Sequence, residues 1–212
     1  MKLKNKGILA PFTVLTSLLT GLVFPLLGSL IALDLGIIKT FYMEGIFLVL
    51  IGGFLAQWLL AHSIHDYYHY DKDKRITLSK NSLKILFVIS LILLLVIAIY
   101  LSFVRGWPVF VFAFIGGVAS LYAEGLFHHE SQMAFGAMFL VIGSFYVQVA
   151  TLNLDFLIWI QVLCFSLFAF FSQYGWLLLY RLDDYGFSKN KKNYGILITK
   201  SALIFLAIYF LL

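Results

Sequence analysis

The sequence holds one cysteine, Cys164, three prolines and few charges, only 12% of its residues being Asp, Glu, Lys or Arg. A single cysteine excludes a disulfide within the chain and any zinc site built from several thiolates. So few prolines, with no Ser/Gly-rich tract, leave no room for an extended linker or a disordered tail. The scarcity of charge excludes an ordinary soluble domain, which carries about 25% charged and about 45–50% apolar residues. Here 62% of the 212 residues are hydrophobic and the mean hydropathy is +0.99. A folded chain of this size still exposes much of its surface, so the apolar surplus faces lipid. Long continuous apolar runs, without the alternation of barrel strands, exclude a β-barrel. The net charge of +5 comes with no basic–aromatic module that would suggest nucleic acid.

What is present reads as a single integral membrane domain over residues 1–212, an all-α polytopic bundle. Crossing the hydrocarbon core takes about 20 apolar residues. Seven runs answer to that, at 11–33, 45–62, 85–104, 108–122, 135–149, 156–180 and 196–212. The fourth and fifth are short, as if they began earlier or were tilted. The first is too long for the apolar region of a cleavable signal, and no small-residue cleavage site follows it.

Basic residues stay on the cytoplasmic side of a membrane. Lys2, Lys4 and Lys6 precede the first span. Lys72, Lys74, Arg75, Lys80 and Lys84 follow the second, and Arg181, Lys189, Lys191, Lys192 and Lys200 lie around the join of the sixth and seventh. Only Lys39 and Arg105 fall on the other side. The expectation is a cell-membrane protein with a cytoplasmic amino terminus. Most of these cations need no role beyond topology and attraction to anionic lipid.

The same side collects Asp66, Asp71, Asp73, Glu124, Glu130, Asp183 and Asp184 and all five histidines, His62, His65, His69, His128 and His129. Ionisable groups at membrane depth are costly and mark functional cavities. If the second span stays helical past residue 62, the spacing of His62, Asp66, His69 and Asp73 places them on one stripe, with His65 to its side. Carboxylates suit Mg²⁺, and imidazoles suit zinc or iron. The plainer alternative is a solvated helix end with tyrosines at the interface. In the third polar connection, Glu124 and His128 are four apart and can share a helical face; a polar turn capping two helices explains them equally well.

The run His65-Asp66-Tyr67-Tyr68-His69-Tyr70-Asp71-Lys72-Asp73 resembles the first aspartate-rich motif, N-D-x-x-D-x-x-x-D, of the UbiA-type intramembrane prenyltransferases. It is nearest the N-D-Y-Y-D form of the 1,4-dihydroxy-2-naphthoate prenyltransferase branch, a step of quinone biosynthesis. Lys74-Arg75-Ile76-Thr77-Leu78-Ser79 is similar to the K-R-x-L-S stretch before the third helix, and Gly143-Ser-Phe-Tyr-Val-Gln148 to a G-A-Y-Y-V-Q segment. There are departures. His65 stands for the family's asparagine and His69 for its middle aspartate. In the second motif, N-x-x-x-D-x-x-x-D, only Asp184 keeps its place; Tyr180 and Ser188 replace the flanking residues. The family has nine spans against seven here.

The resemblance implies transfer of an isoprenyl group from a prenyl diphosphate to an aromatic or other lipid-precursor acceptor. It assigns Asp66, Asp73 and Asp184 to catalysis and metal, with His65 and His69 as further metal positions. Lys74, Arg75, Lys189 and Lys192 become phosphate contacts, and Glu124 and His128 acceptor contacts. The implied ion is Mg²⁺, with Mn²⁺ or another divalent metal favoured by imidazoles at two of the motif's positions, one of them in place of a carboxylate. The isoprenoid tail would follow an apolar groove open to membrane lipid.

Other readings stay open. A catalytically degenerate UbiA-like subunit could bind lipid or a partner, as a homo- or hetero-oligomer. A histidine-rich membrane metalloenzyme, such as a di-iron hydroxylase or desaturase, is a weaker alternative, since its histidine boxes need about eight histidines and five are available; a transporter is weaker still, with no paired broken spans in two repeats. For topology, cells carrying the chain with Cys164→Ser give a direct test. Lys39→Cys is expected to react with an impermeant maleimide in intact cells, and Lys80→Cys only after permeabilisation; the opposite pattern inverts the orientation.

Overall fold

The structure, a computed structural model, describes residues 7–71, 76–121, 129–182 and 185–212. It is a bundle of seven helices, with no strand among the described residues. They are α1 (Pro11–Asp34), α2 (Met43–His69), α3 (Lys80–Arg105), α4 (Pro108–Ser120), α5 (Glu130–Val149), α6 (Phe156–Tyr180) and α7 (Lys189–Leu211). Six are long and apolar enough to cross a membrane; α4, with 13 residues, is not. The expected fifth span begins earlier than its apolar run, at Glu130, and so reaches full length. The expected fourth does not lengthen. At 1.5 Å per residue it rises about 20 Å.

Local sequence sets where the helices begin. Ser79 Oγ accepts from the Ser82 N–H at 3.1 Å, His129 Nδ1 from the Ser131 N–H at 3.3 Å, and Asp155 Oδ1 from the Leu157 N–H at 3.1 Å. Each satisfies a donor that a first helical turn leaves unpaired. Pro11 and Pro108 start α1 and α4, where the missing N–H has no intrahelical partner to lose. One turn of α2, Leu55–Leu60, is π-helical, a widening found mostly at functional positions.

The bundle is built around α5, 56% of whose apolar window is buried, whereas α3 is peripheral at 17%. A core of Ile31, Ala32, Val141, Phe145, Phe165 and Tyr209 joins α1, α5, α6 and α7, and Cys164 is buried within it. Where α1 crosses α2, the backbones touch. A Cβ on Gly21 would lie 2.6 Å from Phe54 Cα, and one on Gly53 would strike the Gly21 carbonyl oxygen. Small residues permit this approach in lipid, where apolar side chains gain nothing by leaving the solvent.

Away from the histidine-rich connections, the other end of the bundle is tied by polar side chains. Arg105 donates to the Val147 and Gln148 carbonyls at 2.7 and 2.5 Å, capping the end of α5, and its guanidinium lies 4.9 Å from the centre of the Tyr42 ring. A cation there also meets the negative end of the helix dipole. The Gln148 side chain accepts from the Tyr42 N–H at 2.9 Å and donates to the Tyr42 carbonyl at 3.3 Å. The Tyr209 hydroxyl donates to Asp34 at 2.5 Å, joining the last helix to the first.

Overpacking a tight contact costs about 1–3 kcal/mol. Gly53→Ala is expected to lower stability by about that amount in detergent-mediated unfolding. Gly117→Ala, whose Cβ would meet nothing within 4 Å, is expected to be neutral or to stabilise by about 0.5–1 kcal/mol through helix propensity. Equal effects at the two positions would contradict the close crossing.

Candidate functional site

The end of α2, the beginnings of α1, α5 and α7 and the end of α6 gather at one end of the bundle. Just below the polar residues, Ala61, Met133 and Leu177 form an apolar cluster that holds α2, α5 and α6 together. Phe12, at the start of α1, stacks on Tyr180 with centroids 5.9 Å apart, drawing in the end of α6.

The second span does stay helical past residue 62, through His69, so His62, Asp66 and His69 occupy one continuous helix. Asp66 is 2% exposed. Its Oδ2 accepts from the Ile8 N–H at 2.8 Å, and its Oδ1 lies 3.3 Å from His65 Nδ1. The Ile8 carbonyl in turn accepts from Trp58 Nε1 at 2.8 Å. Asp66 and Trp58 thereby clamp the segment leading into α1 onto α2. The His65 and His69 rings are 4.5 Å apart between centroids. Asp71 is at the surface, where Lys80 Nζ donates to it at 3.2 Å; an exposed pair of this kind contributes about 0–1 kcal/mol.

No group of three or more His, Cys, Asp or Glu side chains able to hold a metal ion occurs among the described residues. Mg²⁺ needs about six oxygen donors in near-octahedral order, and one Asp66 carboxylate already engaged with a backbone amide does not supply them. The described residues therefore do not by themselves fit the ion that the motif implies. Asp73, Lys74, Arg75, Glu124, His128 and Asp184 lie outside the described residues. Lys189 and Lys192 are exposed in the first turn of α7.

The structure also assembles a group that the spacing of the sequence does not show. Glu130, 3% exposed in the first turn of α5, accepts from Arg181 Nη1 at 3.1 Å and from the Tyr185 hydroxyl. Its position favours a carboxylate, because the helix N-terminus is the positive end of the dipole. Lys191 Nζ lies over the Tyr185 ring, 4.6 Å from its centre. Burial, then the hydrogen bond to Glu130 and the charge of that carboxylate, push the Tyr185 phenol above its ordinary pKa of 10, against the opposing pull of Arg181. Fifty-one residues separate Glu130 from Arg181, and only the packing of α5 on α6 brings them together.

Below this end, an apolar groove of about 280 Å³ runs between α2, α3, α4 and α5, from Leu48 and Val109 to Leu60 and Leu121. Beside it Gln57, on the π turn, is a polar residue that an apolar run conceals in the sequence; its one signal is an amide within a span. Gln148, in the segment that resembles the prenyltransferase pattern, lies at the opposite end of the bundle. Comparison of the chain with protein-family models, with curated proteins and with solved structures found no match.

Removing one partner of a buried ion pair leaves an uncompensated charge. Arg181→Met is therefore expected to destabilise the protein by about 3–5 kcal/mol, and Tyr185→Phe by about 1 kcal/mol. A raised phenol pKa means that the folded state holds its proton more tightly than the unfolded chain. The Tyr185 contribution is thus fully present below pH 10 and lost as pH rises through the higher folded value. Unfolding followed from pH 7 to 11 in the wild type and Tyr185→Phe checks this; parallel curves would contradict it.

Proposed function

We propose that this protein is a UbiA-like transferase that moves an isoprenyl group from a prenyl diphosphate to an aromatic or other lipid-precursor acceptor at the cytoplasmic face of a cell membrane. The observation that carries the reading is the helical stripe of His62, Asp66 and His69 at the end of α2, at the same end of the bundle as Glu130, Arg181 and the first turn of α7. The all-helical membrane bundle is compatible with it. In such a transfer the allylic C–O bond breaks with its electron pair going to pyrophosphate. An acceptor carbon then bonds to the allylic carbon and loses its proton. The developing charge calls for fixed cations in a site shielded from water. Lys189 and Lys192 stand at the start of α7, whose N-terminus also attracts anions.

One observation favours a second reading, a lipid-binding protein on the same scaffold without turnover. Asp66 is engaged in holding the Ile8 amide, a role that needs no metal and no substrate.

The test is transfer by purified protein in lipid, with labelled farnesyl, geranylgeranyl and longer diphosphates and a panel of quinone precursors and glycerol phosphates. Mg²⁺, Mn²⁺ and metal-free arms run alongside Asp66→Asn, Asp66→Ala and Asp184→Ala. Asn keeps an oxygen for the Ile8 N–H, so Asp66→Asn is expected to fold; Asp66→Ala leaves that donor unpaired, at a cost of about 1–3 kcal/mol. Metal-dependent product that is lost in a folded Asp66→Asn and in Asp184→Ala supports transfer. Absence of product in every arm, with diphosphate binding unaffected by the variants, leaves the second reading.

A further inference from the structure

The other described cations stand at a helix end or in a connection, but Lys200 lies within a span. It is eleven residues from Lys189 and eleven from Leu211, the two ends of α7, about three turns and 16 Å from each. Leu197 and Ile204, one turn to either side, are 61% and 58% exposed. Lys200 is exposed as well, and no hydrogen bond or ion pair engages it among the described residues. A lysine near a helix end snorkels to the headgroups, but a charge in mid-span is costly and marks a functional position.

The direction of this side chain follows from the packing of α7. That helix rests on the bundle along Gly195, Ala202 and Tyr209, which recur every seven residues. Two residues before Ala202, Lys200 lies about 160° round the helix from that line, so it points away from the bundle. Asn193, Leu197, Ile204, Ala207 and Leu211 share its outer face, all of them exposed. With Lys200 they are spaced four, three, four, three and four residues apart, the heptad spacing of a seam between packed helices. Ala207 is small enough for a close approach. An apolar seam is at ease in lipid; the cation within it is what calls for a partner.

The charge also restricts that partner. A second copy meeting the same face in a parallel pair would set Lys200 against Lys200, and like charges repel strongly where the dielectric is low. The carboxylates of the described residues stand elsewhere. Asp66 and Glu130 are buried near the histidine-bearing end and Asp71 is at its surface. Asp34, Glu44 and Asp155 are at the opposite helix ends. A lipid phosphate stays at headgroup depth. A carboxylate on another membrane helix meets the ammonium at its own depth.

We propose that the outer face of α7 docks one transmembrane helix of a different protein, whose span carries an Asp or Glu that pairs with Lys200. Leu197, Ile204, Ala207 and Leu211 pack against that helix, and the single charged position fixes its register. Prenyl transfer plays no part in this docking.

The chemistry is tested on the full chain in phosphatidylcholine nanodiscs, with energy transfer reporting the binding of a fluorescent Leu/Ala membrane peptide that carries one central Glu. The same peptide with Leu or Lys at that position is the comparison. The Glu peptide is expected to bind about tenfold more tightly than the Leu peptide. That preference is expected to vanish in Lys200→Leu and to pass to the Lys peptide in Lys200→Glu. Ala207→Trp is expected to weaken binding of the Glu peptide. All three substitutions face lipid, so melting temperatures are expected to match the wild type. In native membranes, a photoreactive phenylalanine analogue at Leu197 or Ile204 is expected to cross-link to a span bearing a carboxylate, and the adduct to disappear in Lys200→Leu. Equal binding of the Glu and Leu peptides, or a preference that survives in Lys200→Leu, would overturn the proposal. So would cross-links only to lipid, to a second copy of the chain or to a span without Asp or Glu.

Discussion

The contact between the backbones of α1 and α2 at Gly21 and Gly53 is the constraint on which the rest of the bundle depends. In lipid, burial of apolar side chains gives helices little reason to associate, so close fit and polar contacts must hold them. With α1 pressed onto α2, the segment preceding α1 comes within reach of Asp66 and Trp58, and the two helices become one unit. α5 then packs on α1, and a Cβ on Gly28 of α1 would already collide with Ser144 and Val141. The groove remains because α3 and α4 approach this inner layer from the lipid side without closing on it.

Polar side chains serve different ends at the two faces of the bundle. Beyond the core, Arg105, Tyr42 and Gln148 satisfy one another and the exposed carbonyls at the end of α5, so that end is tied shut. At the histidine-bearing end, Asp66, Glu130 and Arg181 also hold elements together, but around them lie exposed lysines and three polar connections. A carboxylate that secures a backbone amide is fixed in place. The same fixation determines what any ligand of Asp66 would meet: an oxygen whose orientation is already set by Ile8.

Much of this architecture was legible in the order of residues. Seven apolar runs became seven helices, and the regular spacing through His62, Asp66 and His69 foretold a helix continuing beyond its apolar part. Run length misjudged α4 and α5 in opposite ways. Glu130 extends α5 because a carboxylate suits a helix start, whereas α4 stops at Ser120 and Leu121 does not join it. The cation Arg105 looked like a topology marker, and nothing nearby in sequence reveals that its partners are carbonyls more than forty residues away. Glu130 and Arg181 escaped for the same reason. Gln57 escaped because hydropathy averages a single amide away. The stripe could be followed only as far as His69, since Asp73 lies outside the described residues.

The bond between Tyr209 and Asp34 spans 175 positions of the chain, and this bears on the order of assembly. Asp34 leaves the ribosome with α1, but its phenol partner belongs to α7, which is made after five further helices. The carboxylate must therefore rest at the bilayer surface while five intervening helices are inserted. Lateral closure of the core, in which Tyr209 packs against Phe165, comes only afterwards. Insertion and packing are thus separated in time, and contacts between distant parts of a chain form slowly because the intervening loop must first be closed. Synthesis that halts before α7 would leave a set of inserted helices whose first member still lacks its final contact.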